Sequence, residues 1–165
     1  MDRMATRWLS KEQQRCWRAY IEAVRLLQDS LDAQLQADAD MPHAYYEILV
    51  RLSESPDRRL RMAELATGTQ SSRSRVSHAV ARLEERGWVR REPCASDRRG
   101  QLAVLTAKGH AALAAAAPGH VAQVRATVID ALSAEQLRAL ADASTAITAA
   151  IESSRDRGAA ARLSE

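Results

Sequence analysis

Apolar residues recur at intervals of three and four along the first forty positions, which predicts a long amphipathic helix near the start of the chain. Ser10 and Gln13 have the spacing of a capping box, so this helix should begin at Lys11 and run for about two dozen residues. The apolar positions that define it are Cys16, Ala19, Tyr20, Ala23, Leu26, Leu27, Leu31 and Leu35.

Shorter helices should follow the segment "DADMP", which interrupts the pattern. Pro42 suits a first helical turn, and the apolar spacing then continues through Tyr45, Ile48, Leu49 and Leu52. The segment "SESPDRR" has the composition of a turn. The segment "MAELAT" predicts a short helix, which Gly68 should end.

Residues 68–88 predict a further helix with two different faces. Ser71 or Ser72 can cap it, and it should run to about Glu85, with Gly87 ending it. At 100° per residue one face is apolar, and it consists of Val76, Ala79, Val80 and Leu83. The opposite face is polar and free of acids, and it consists of Ser74, Ser77, His78 and Ala81, flanked by Arg73, Arg75 and Arg82.

The next segments, "WVRRE", "PCASDRRG" and "QLAVL", predict a β-hairpin with a long polar loop. Thr106 should cap an alanine-rich helix, which Pro118 is expected to kink or split. Ser133 with Gln136 forms a second capping box. The last helix has an apolar stripe of Leu137, Leu140, Ser144, Ile147 and Ile151, and a polar, frayed tail should follow it.

Charge is concentrated in the middle of the chain. Residues 58–100 contain eleven Arg and five acids, a net of +6, whereas the 165-residue chain is only +3, so the flanks together carry −3. A local basic patch is the electrostatic footprint of a protein that binds nucleic acid or another polyanion. The alternative is a merely solvated surface, which would not need this asymmetry.

Other functional classes find little support in the sequence. Cys16 and Cys94 lie far apart, the four His share no metal-binding pattern, and there is no catalytic triad, carboxylate pair or phosphate loop. We therefore expect neither an enzyme nor a bound metal or cofactor. The N-terminus lacks an apolar signal core, and the longest apolar run, "AALAAAA", is too short to span a bilayer, so we expect a cytoplasmic protein.

The order of elements predicts a mainly α winged helix-turn-helix with a small β-hairpin wing. A helix, a Gly-containing turn, a basic helix and an Arg-tipped hairpin follow one another. In such a fold the second helix can lie in the major groove of DNA, and an arginine of the hairpin can reach the minor groove. Ser hydroxyls and free amides at the helix start suit phosphate oxygens.

The same stretch resembles the MarR family of bacterial transcriptional regulators over about fifty residues. The matching motifs are Leu65-Ala66, Ser72/Ser74/Val76/Ser77, Arg82-Leu83-Glu84, Gly87/Val89, Asp97/Arg99 and Leu105-Thr106/Gly109. One departure is the turn before the basic helix, where Thr69, Gln70 and Ser71 stand in place of the family's apolar residues. This turn is therefore expected to be less well packed.

The resemblance implies one MarR-like domain over 1–165 that forms a homodimer. N- and C-terminal helices, at 10–37 and 107–152, would form the dimerisation lobe. Residues 42–105 would form the DNA-binding lobe, and 153–165 a flexible tail. Such a protein would bind a pseudo-palindromic double-stranded operator, usually as a repressor, and would release it when a small ligand binds.

The resemblance also assigns residues of the wing. Arg99 would enter the minor groove, Asp97 would orient it, and Arg98 would contact phosphate. Alternatively, Asp97 and Arg99 only stabilise the loop.

On the basic helix, which begins near Ser72, the best candidates for base edges are Ser74, Ser77 and His78. Arg75 could read a guanine. Arg73 and Arg82 could contact phosphates, or Arg82 could pair with an acidic neighbour.

Two switches are compatible with the resemblance. An aromatic or phenolic effector could bind between the lobes, with Pro118 as a pivot, although each candidate residue could instead be plain packing. The candidates are Trp17, Tyr20, His43, Tyr46, His110 and His120.

The second possible switch is oxidative. Cys16 could sense peroxide near Tyr45 and Tyr46, or it could be a buried inert thiol. Competing hypotheses are a non-specific architectural DNA-binding protein and a protein-binding winged helix.

Overall fold

The computed structural model describes residues 6–94 and 97–163, and at 98, 99, 156 and 158–163 it describes the backbone alone. The helices are α1 (Lys11–Ala39), α2 (His43–Glu54), α3 (Met62–Gly68), α4 (Arg73–Glu85), α5 (Ala107–Val124) and α6 (Ala134–Leu163). The strands are β1 (Arg59–Arg61), β2 (Val89–Cys94) and β3 (Asp97–Leu105). The mainly α winged-helix prediction is confirmed.

The chain divides into two compact units, Met1–Gln123 and Val124–Glu165. In the second unit, a π-helical turn at Arg125–Ile129 precedes α6. The predicted capping box at the start of α6 is present, because the Ser133 hydroxyl accepts from the Gln136 amide at 3.2 Å and the Gln136 side chain accepts from the Ser133 amide at 2.9 Å. The α-helix continues to Leu163, beyond residue 152, where the last predicted helix ends. The flexible tail at 153–165 stays a prediction.

Helix α1 begins where the sequence predicts. The Ser10 hydroxyl accepts from the Gln13 amide at 3.2 Å, and the Gln13 side chain accepts from the Ser10 amide at 2.9 Å. The helix is 29 residues long, a little longer than expected. It ends at Asp40, whose backbone is left-handed with φ 45°. Asp32 of α1 then accepts from the first amide of α2, that of His43, at 2.8 Å.

The core of the first unit lies between α2, α3, α4 and the sheet, and the C-terminal end of α1 packs onto it. Leu49 and Leu52 of α2, Leu65 of α3 and Val80 and Leu83 of α4 are fully buried. Burying large aliphatic side chains is the main driving force for assembling such a lobe, at about 1.5–3 kcal/mol for each. The core therefore fixes how α4 is presented.

The wing is a three-stranded antiparallel sheet in the order β1-β3-β2. Strand β1 was not predicted, because its sequence, Arg-Leu-Arg, is short and carries two charges; it pairs along β3 as an edge strand. The prediction of a long polar loop is also wrong. Strand β2 extends to Cys94 and β3 starts at Asp97, so the strands take up most of the segment "PCASDRRG". Only Ala95 and Ser96 separate them, and both lie outside the described residues.

Helix α5 is not split at Pro118, although a split was one of the two expected outcomes: the α-helix is continuous from Ala107 to Val124. The expected kink stays a prediction. The amide that proline lacks would bond the carbonyl of Ala114, and both residues are exposed, so water can satisfy that carbonyl. The irregularity comes later, in the π-helical turn at Arg125–Ile129.

The start of α5 is fastened to the start of the wing. The Thr106 hydroxyl accepts from the Gly109 amide at 3.0 Å, which confirms the predicted cap, and donates to the Gly87 carbonyl at 2.7 Å. A Cβ atom at Gly109 would lie 2.0 Å from the Trp88 carbonyl oxygen, so this backbone approach requires glycine. Further along, Gln123 of α5 donates to the Ser30 hydroxyl of α1 at 2.7 Å.

Candidate nucleic-acid interface

Helix α4 presents its polar face to solvent because its apolar face is used by the core. Val76 keeps only 2% of its surface exposed, and Val80 and Leu83 keep none. The candidate contact residues on the other sides of the helix are all exposed, namely Arg73, Ser74, Arg75, Ser77, His78 and Arg82. The two faces predicted from the sequence are therefore both present.

The N-terminus of α4 is capped by Ser72, whose hydroxyl accepts from the Arg75 amide at 3.3 Å. The first turn of the helix has no acidic residue. The remaining free amides and the positive end of the helix dipole can therefore attract an anion such as a phosphate.

The turn before α4, which the sequence predicted to be less well packed, is held by hydrogen bonds. The Thr69 hydroxyl donates to the Leu65 carbonyl at 2.9 Å, and the Ser71 amide donates to the Ala66 carbonyl at 3.0 Å. Gln70 adopts a left-handed backbone with φ 50°. Hydrogen bonds from Thr69 and Ser71 to the end of α3 thus stabilise the turn. Leu65 and Ala66, whose carbonyls accept these bonds, are buried.

Two clefts flank the polar face of α4. The cleft toward the wing has a volume of about 480 Å³ and is lined by Arg73, Ser77 and Arg91, among others. The cleft toward α2 has a volume of about 620 Å³ and includes Tyr45 and Arg75. Arg73 and Arg75 therefore lie on opposite flanks of the helix. This arrangement suits contacts to the two sides of a groove.

Arg82 has an acidic partner, which was one of its two expected roles. Its guanidinium lies 2.8 Å from the Glu85 carboxylate, one turn further along α4. This hydrogen bond, followed by the charge of Glu85, raises the pKa of Arg82. Since both side chains are well exposed, the pair is weak, and a phosphate could replace Glu85 as the partner of Arg82.

Arg91 of β2 braces α4 against the wing, a role that the sequence did not indicate. Its guanidinium donates to the Ser77 carbonyl at 2.8 Å and lies 3.2 Å from the Glu84 carboxylate. Its amide donates to Glu84 at 2.9 Å. Only the alternation along the strand, which turns Arg90 outward and Arg91 toward α4, could have singled it out.

At the wing, Asp97 lies 3.9 Å from the Arg61 guanidinium of β1. This contact joins the start of β3 to the edge strand. Arg98 and Arg99 belong to β3 by their backbone, but their side chains lie outside what the structure describes. The expected contact between Asp97 and Arg99 therefore stays a prediction.

Comparisons with known proteins agree with this geometry. The sequence profile of the MarR family matches residues 39–100. The chain is 57% identical to Sco3205, a MarR family transcriptional regulator from Streptomyces coelicolor whose crystal structure is in complex with DNA. That match has a TM-score of 0.84 and covers 87% of this chain and 90% of the other. The chain belongs to the MarR family of transcriptional regulators.

Two further relatives show how far the similarity extends. AbsC, another MarR family regulator from Streptomyces coelicolor, is 46% identical, with a TM-score of 0.84 and coverage of 89% of this chain and 99% of AbsC. The transcriptional regulator HosA of Escherichia coli O127:H6 is 33% identical over 79 residues, which is 48% of this chain and 57% of HosA. The chain thus matches little more than half the length of this curated relative.

Three of the six predicted effector residues of this MarR-family chain come together in one cleft. The His120 ring of α5 lies 4.3 Å from the Tyr46 ring and 5.7 Å from the His43 ring of α2, measured between centroids. The cleft has a volume of about 270 Å³. The buried His120 Nδ1 has no hydrogen-bond partner among the described residues. A buried unpaired nitrogen is a ready contact for a polar ligand atom.

Burial dominates the electrostatics of this cleft. It lowers the pKa of His120, and the nearby charge of His43 lowers it further. Burial also raises the pKa of the Tyr46 hydroxyl. At neutral pH the cleft therefore presents a neutral imidazole and a neutral phenol. Such groups exchange hydrogen bonds with a ligand without the cost of desolvating a charge.

The other predicted effector residues lie elsewhere. Trp17 and Tyr20 form a ring pair with centroids 6.3 Å apart on the exposed half of α1. His110 is also on α5, but it precedes His120 by ten residues, or about 15 Å along the helix. Within the described single chain, the cleft thus brings together His43, Tyr46 and His120. Effector contacts by Trp17, Tyr20 and His110 stay a prediction.

Cys16 is exposed in the single chain, so it is not buried by its own subunit, and the inert-thiol alternative stays a prediction. Its predicted tyrosine neighbours are distant within the chain. Because Asp32 contacts the start of α2, Tyr45 and Tyr46 lie near that level of α1. Cys16 precedes Asp32 by sixteen residues, or about 24 Å along the helix. A redox pair between Cys16 and these tyrosines of the same chain is thus excluded by geometry.

The described residues contain neither a membrane-spanning helix nor a cluster of metal-binding side chains. No helix in residues 6–94 and 97–163 is long and apolar enough to cross a membrane. In that same part of the chain, His, Cys, Asp and Glu side chains form no group of three or more that could hold a metal ion.

The titration of His120 provides a direct test of the cleft. We expect an NMR titration to give a pKa for His120 below its ordinary value of 6.5. In His43→Gln this pKa should rise without returning to 6.5, because burial is the larger cause. The folded state then binds fewer protons than the unfolded one just below pH 6.5, so the free energy of unfolding should fall as the pH drops through that window. A wild-type pKa of 6.5 or above would contradict this account.

Proposed function

We propose that the protein is a sequence-specific, double-stranded-DNA-binding transcriptional regulator that acts as a homodimer, usually as a repressor. The observation that carries the proposal is the exposed, acid-free face of α4, which lies between two clefts that each contain an arginine. Sco3205, at 57% identity, was crystallised in complex with DNA, which supports this interpretation. The protein would work in the bacterial cytoplasm, and no catalytic role is assigned to it.

In the proposed complex, α4 lies in the major groove. Ser74, Ser77 and His78 face the base edges, and Arg75 donates two hydrogen bonds to a guanine. Arg73, on the opposite flank, contacts a phosphate, as does Arg98 of the wing. Arg99 would enter the minor groove, whose negative potential attracts a guanidinium group.

The homodimer is supported by the unused apolar surface of α1. Every residue from 11 to 23 is exposed in the single chain, including Trp17 with 55% and Ile21 with 42% of its surface accessible. A half-helix with no buried residue in the described part of the single chain is poorly stable, since helices rely on burying an apolar face. A second copy of the chain would bury this surface and place two α4 helices on a pseudo-palindromic operator.

Two alternatives are weaker. A non-specific architectural DNA-binding protein would need only phosphate contacts, whereas α4 also offers outward Ser, His and Arg side chains that suit base edges. Peroxide sensing through Cys16 would need a partner group from another subunit, because Tyr45 and Tyr46 of the same chain are out of reach.

The role of Arg75 can be tested against that of Arg73. Because a bidentate contact to guanine discriminates by about 1–3 kcal/mol, Arg75→Ala should change the preferred operator sequence as measured by selection from a random DNA library. Arg73→Ala removes the same charge from the same helix, and it should weaken all sequences about equally. A uniform loss in Arg75→Ala would instead mark Arg75 as a phosphate contact.

We further propose that a small phenol or aromatic carboxylate binds in the cleft of His43, Tyr46 and His120 and releases the DNA. The unpaired His120 Nδ1 and the neutral rings support this choice of ligand. A flat ring could stack beside Tyr46, and its hydroxyl or carboxylate could contact the imidazole.

His120→Phe tests this effector site, because it keeps the aromatic ring and removes the nitrogen. We expect DNA affinity without ligand to change little. In a screen of small phenols and aromatic carboxylates, the ligand concentration that releases DNA should rise by about tenfold. His110→Phe makes the same change on the same helix outside the cleft and should behave as wild type. Equal release from wild type and His120→Phe would remove the proposal.

A further inference from the structure

Arg86 joins the C-terminal ends of two helices that are distant in sequence. Its guanidinium donates to the backbone carbonyl of Asp40 at 2.6 Å and to the Asp40 carboxylate at 3.0 Å. Asp40 caps α1, and Arg86 caps α4. One side chain thus bridges 46 positions of sequence and ties the long N-terminal helix to the helix that carries the candidate DNA contacts.

On the Asp40 side, hydrogen bonds within α1 orient the residue, although its side chain is 75% exposed. Its backbone is left-handed, with φ 45°, and its amide donates to the Gln36 carbonyl at 3.2 Å. The carboxylate oxygen that Arg86 leaves free accepts from the Gln36 side chain at 2.7 Å. The carbonyl that Arg86 contacts lies at the negative end of the α1 dipole, where a cation is favoured.

On the Arg86 side, an aromatic ring and the backbone of α4 provide further contacts. The guanidinium carbon lies 5.0 Å from the centroid of the Trp88 ring, at a distance where a cation and an aromatic face attract each other. The Arg86 amide donates to the Arg82 carbonyl at 3.2 Å. The side chain is only 33% exposed, compared with 60% for Arg90 in the wing. The Arg86 guanidinium is therefore held between Asp40 and the Trp88 ring, and the Arg86 backbone is held by α4.

The contacts of Arg86 differ in kind from the apolar packing that also holds α4. Burial of Val76, Val80 and Leu83 fixes which face of α4 points into the core, but these three residues make no hydrogen bond that ties the C-terminal end of α4 to α1. A guanidinium that donates to two oxygens of one residue has a defined geometry. The Arg86–Asp40 joint is thus suited to set the angle between α4 and α1.

We propose that the Arg86–Asp40 joint positions the recognition helix relative to α1 and thereby selects the spacing between operator half-sites. This inference rests on the proposed function, in which two copies pair through α1 and each α4 reads one half-site. Since α1 is then shared with the dimer interface, its angle to α4 determines the distance between the two α4 helices. Arg86 touches no base and acts as a positioning residue.

The first test measures that distance without DNA. Spin labels are placed at Ser74→Cys in a Cys16→Ser background, in which the remaining Cys94 is buried, and the distance between subunits is recorded by double electron–electron resonance. We expect a narrow distribution for the parent protein and a broader, shifted one for Arg86→Ala. Arg90→Ala, which removes the same charge from the wing, should match the parent.

The second test measures spacing preference. An operator is selected in vitro on the wild-type protein, and its half-sites are then moved apart or together by one and two base pairs. We expect the affinity ratio between the best and the altered spacings to fall about fivefold or more in Arg86→Ala, a typical size for energetic coupling between sites. Arg90→Ala should lower all affinities equally and leave the ratio unchanged.

Conservative variants separate positioning from folding. Arg86→Lys keeps the charge but cannot donate the same pair of bonds, so it should stay folded and still lose spacing preference. Asp40→Asn tolerates the left-handed backbone and keeps the carbonyl contact, so its loss should be smaller. Unchanged distances and ratios in Arg86→Ala and Arg86→Lys would overturn the inference. If the parent protein shows no distance between subunits or selects no operator, the proposed function itself has failed.

Discussion

Burial of three residues of α4 is the constraint on which the rest of the interface depends. Val76, Val80 and Leu83 are placed in the core shared with α2, α3 and the sheet. A helix turns by a fixed 100° per residue, so once these three point inward, the directions of Ser74, Arg75, Ser77 and His78 follow. The polar face of α4 therefore faces solvent without needing contacts of its own to hold it there. Its side chains can therefore be chosen for a DNA partner rather than for stability.

Ion pairs and hydrogen bonds then attach the C-terminal end of α4 to its neighbours. Glu84 is turned toward the wing, where Arg91 holds it, and Glu85 neutralises Arg82 at the far end of the helix. Both acids thus lie at the C-terminal end of α4, where they leave the N-terminal turn positive. Arg86 adds the link to α1. The helix that faces the proposed partner is in this way braced from the sheet on one side and from the long N-terminal helix on the other.

Local signals in the sequence predicted the helix starts and the two faces of α4, because capping boxes and a 3.6-residue period need no tertiary information. Other features depended on residues far apart in the chain. Strand β1 exists because β3 offers it an edge, and Arg91 is a brace because Ser77 and Glu84 lie opposite it. The meeting of His43, Tyr46 and His120 required knowing how α5 crosses α2. The split expected at Pro118 is absent, since an exposed Ala114 carbonyl makes a proline tolerable inside a helix.

In the proposed function, two α4 helices of a homodimer read one face of a DNA duplex. Hydroxyl-radical footprinting of the wild-type protein on its selected operator tests this claim most directly. We expect two protected blocks on the same face of the duplex, centred roughly 10 bp apart, and their loss when either half-site is scrambled. Protection that spreads evenly along the duplex and does not depend on its sequence would contradict this claim.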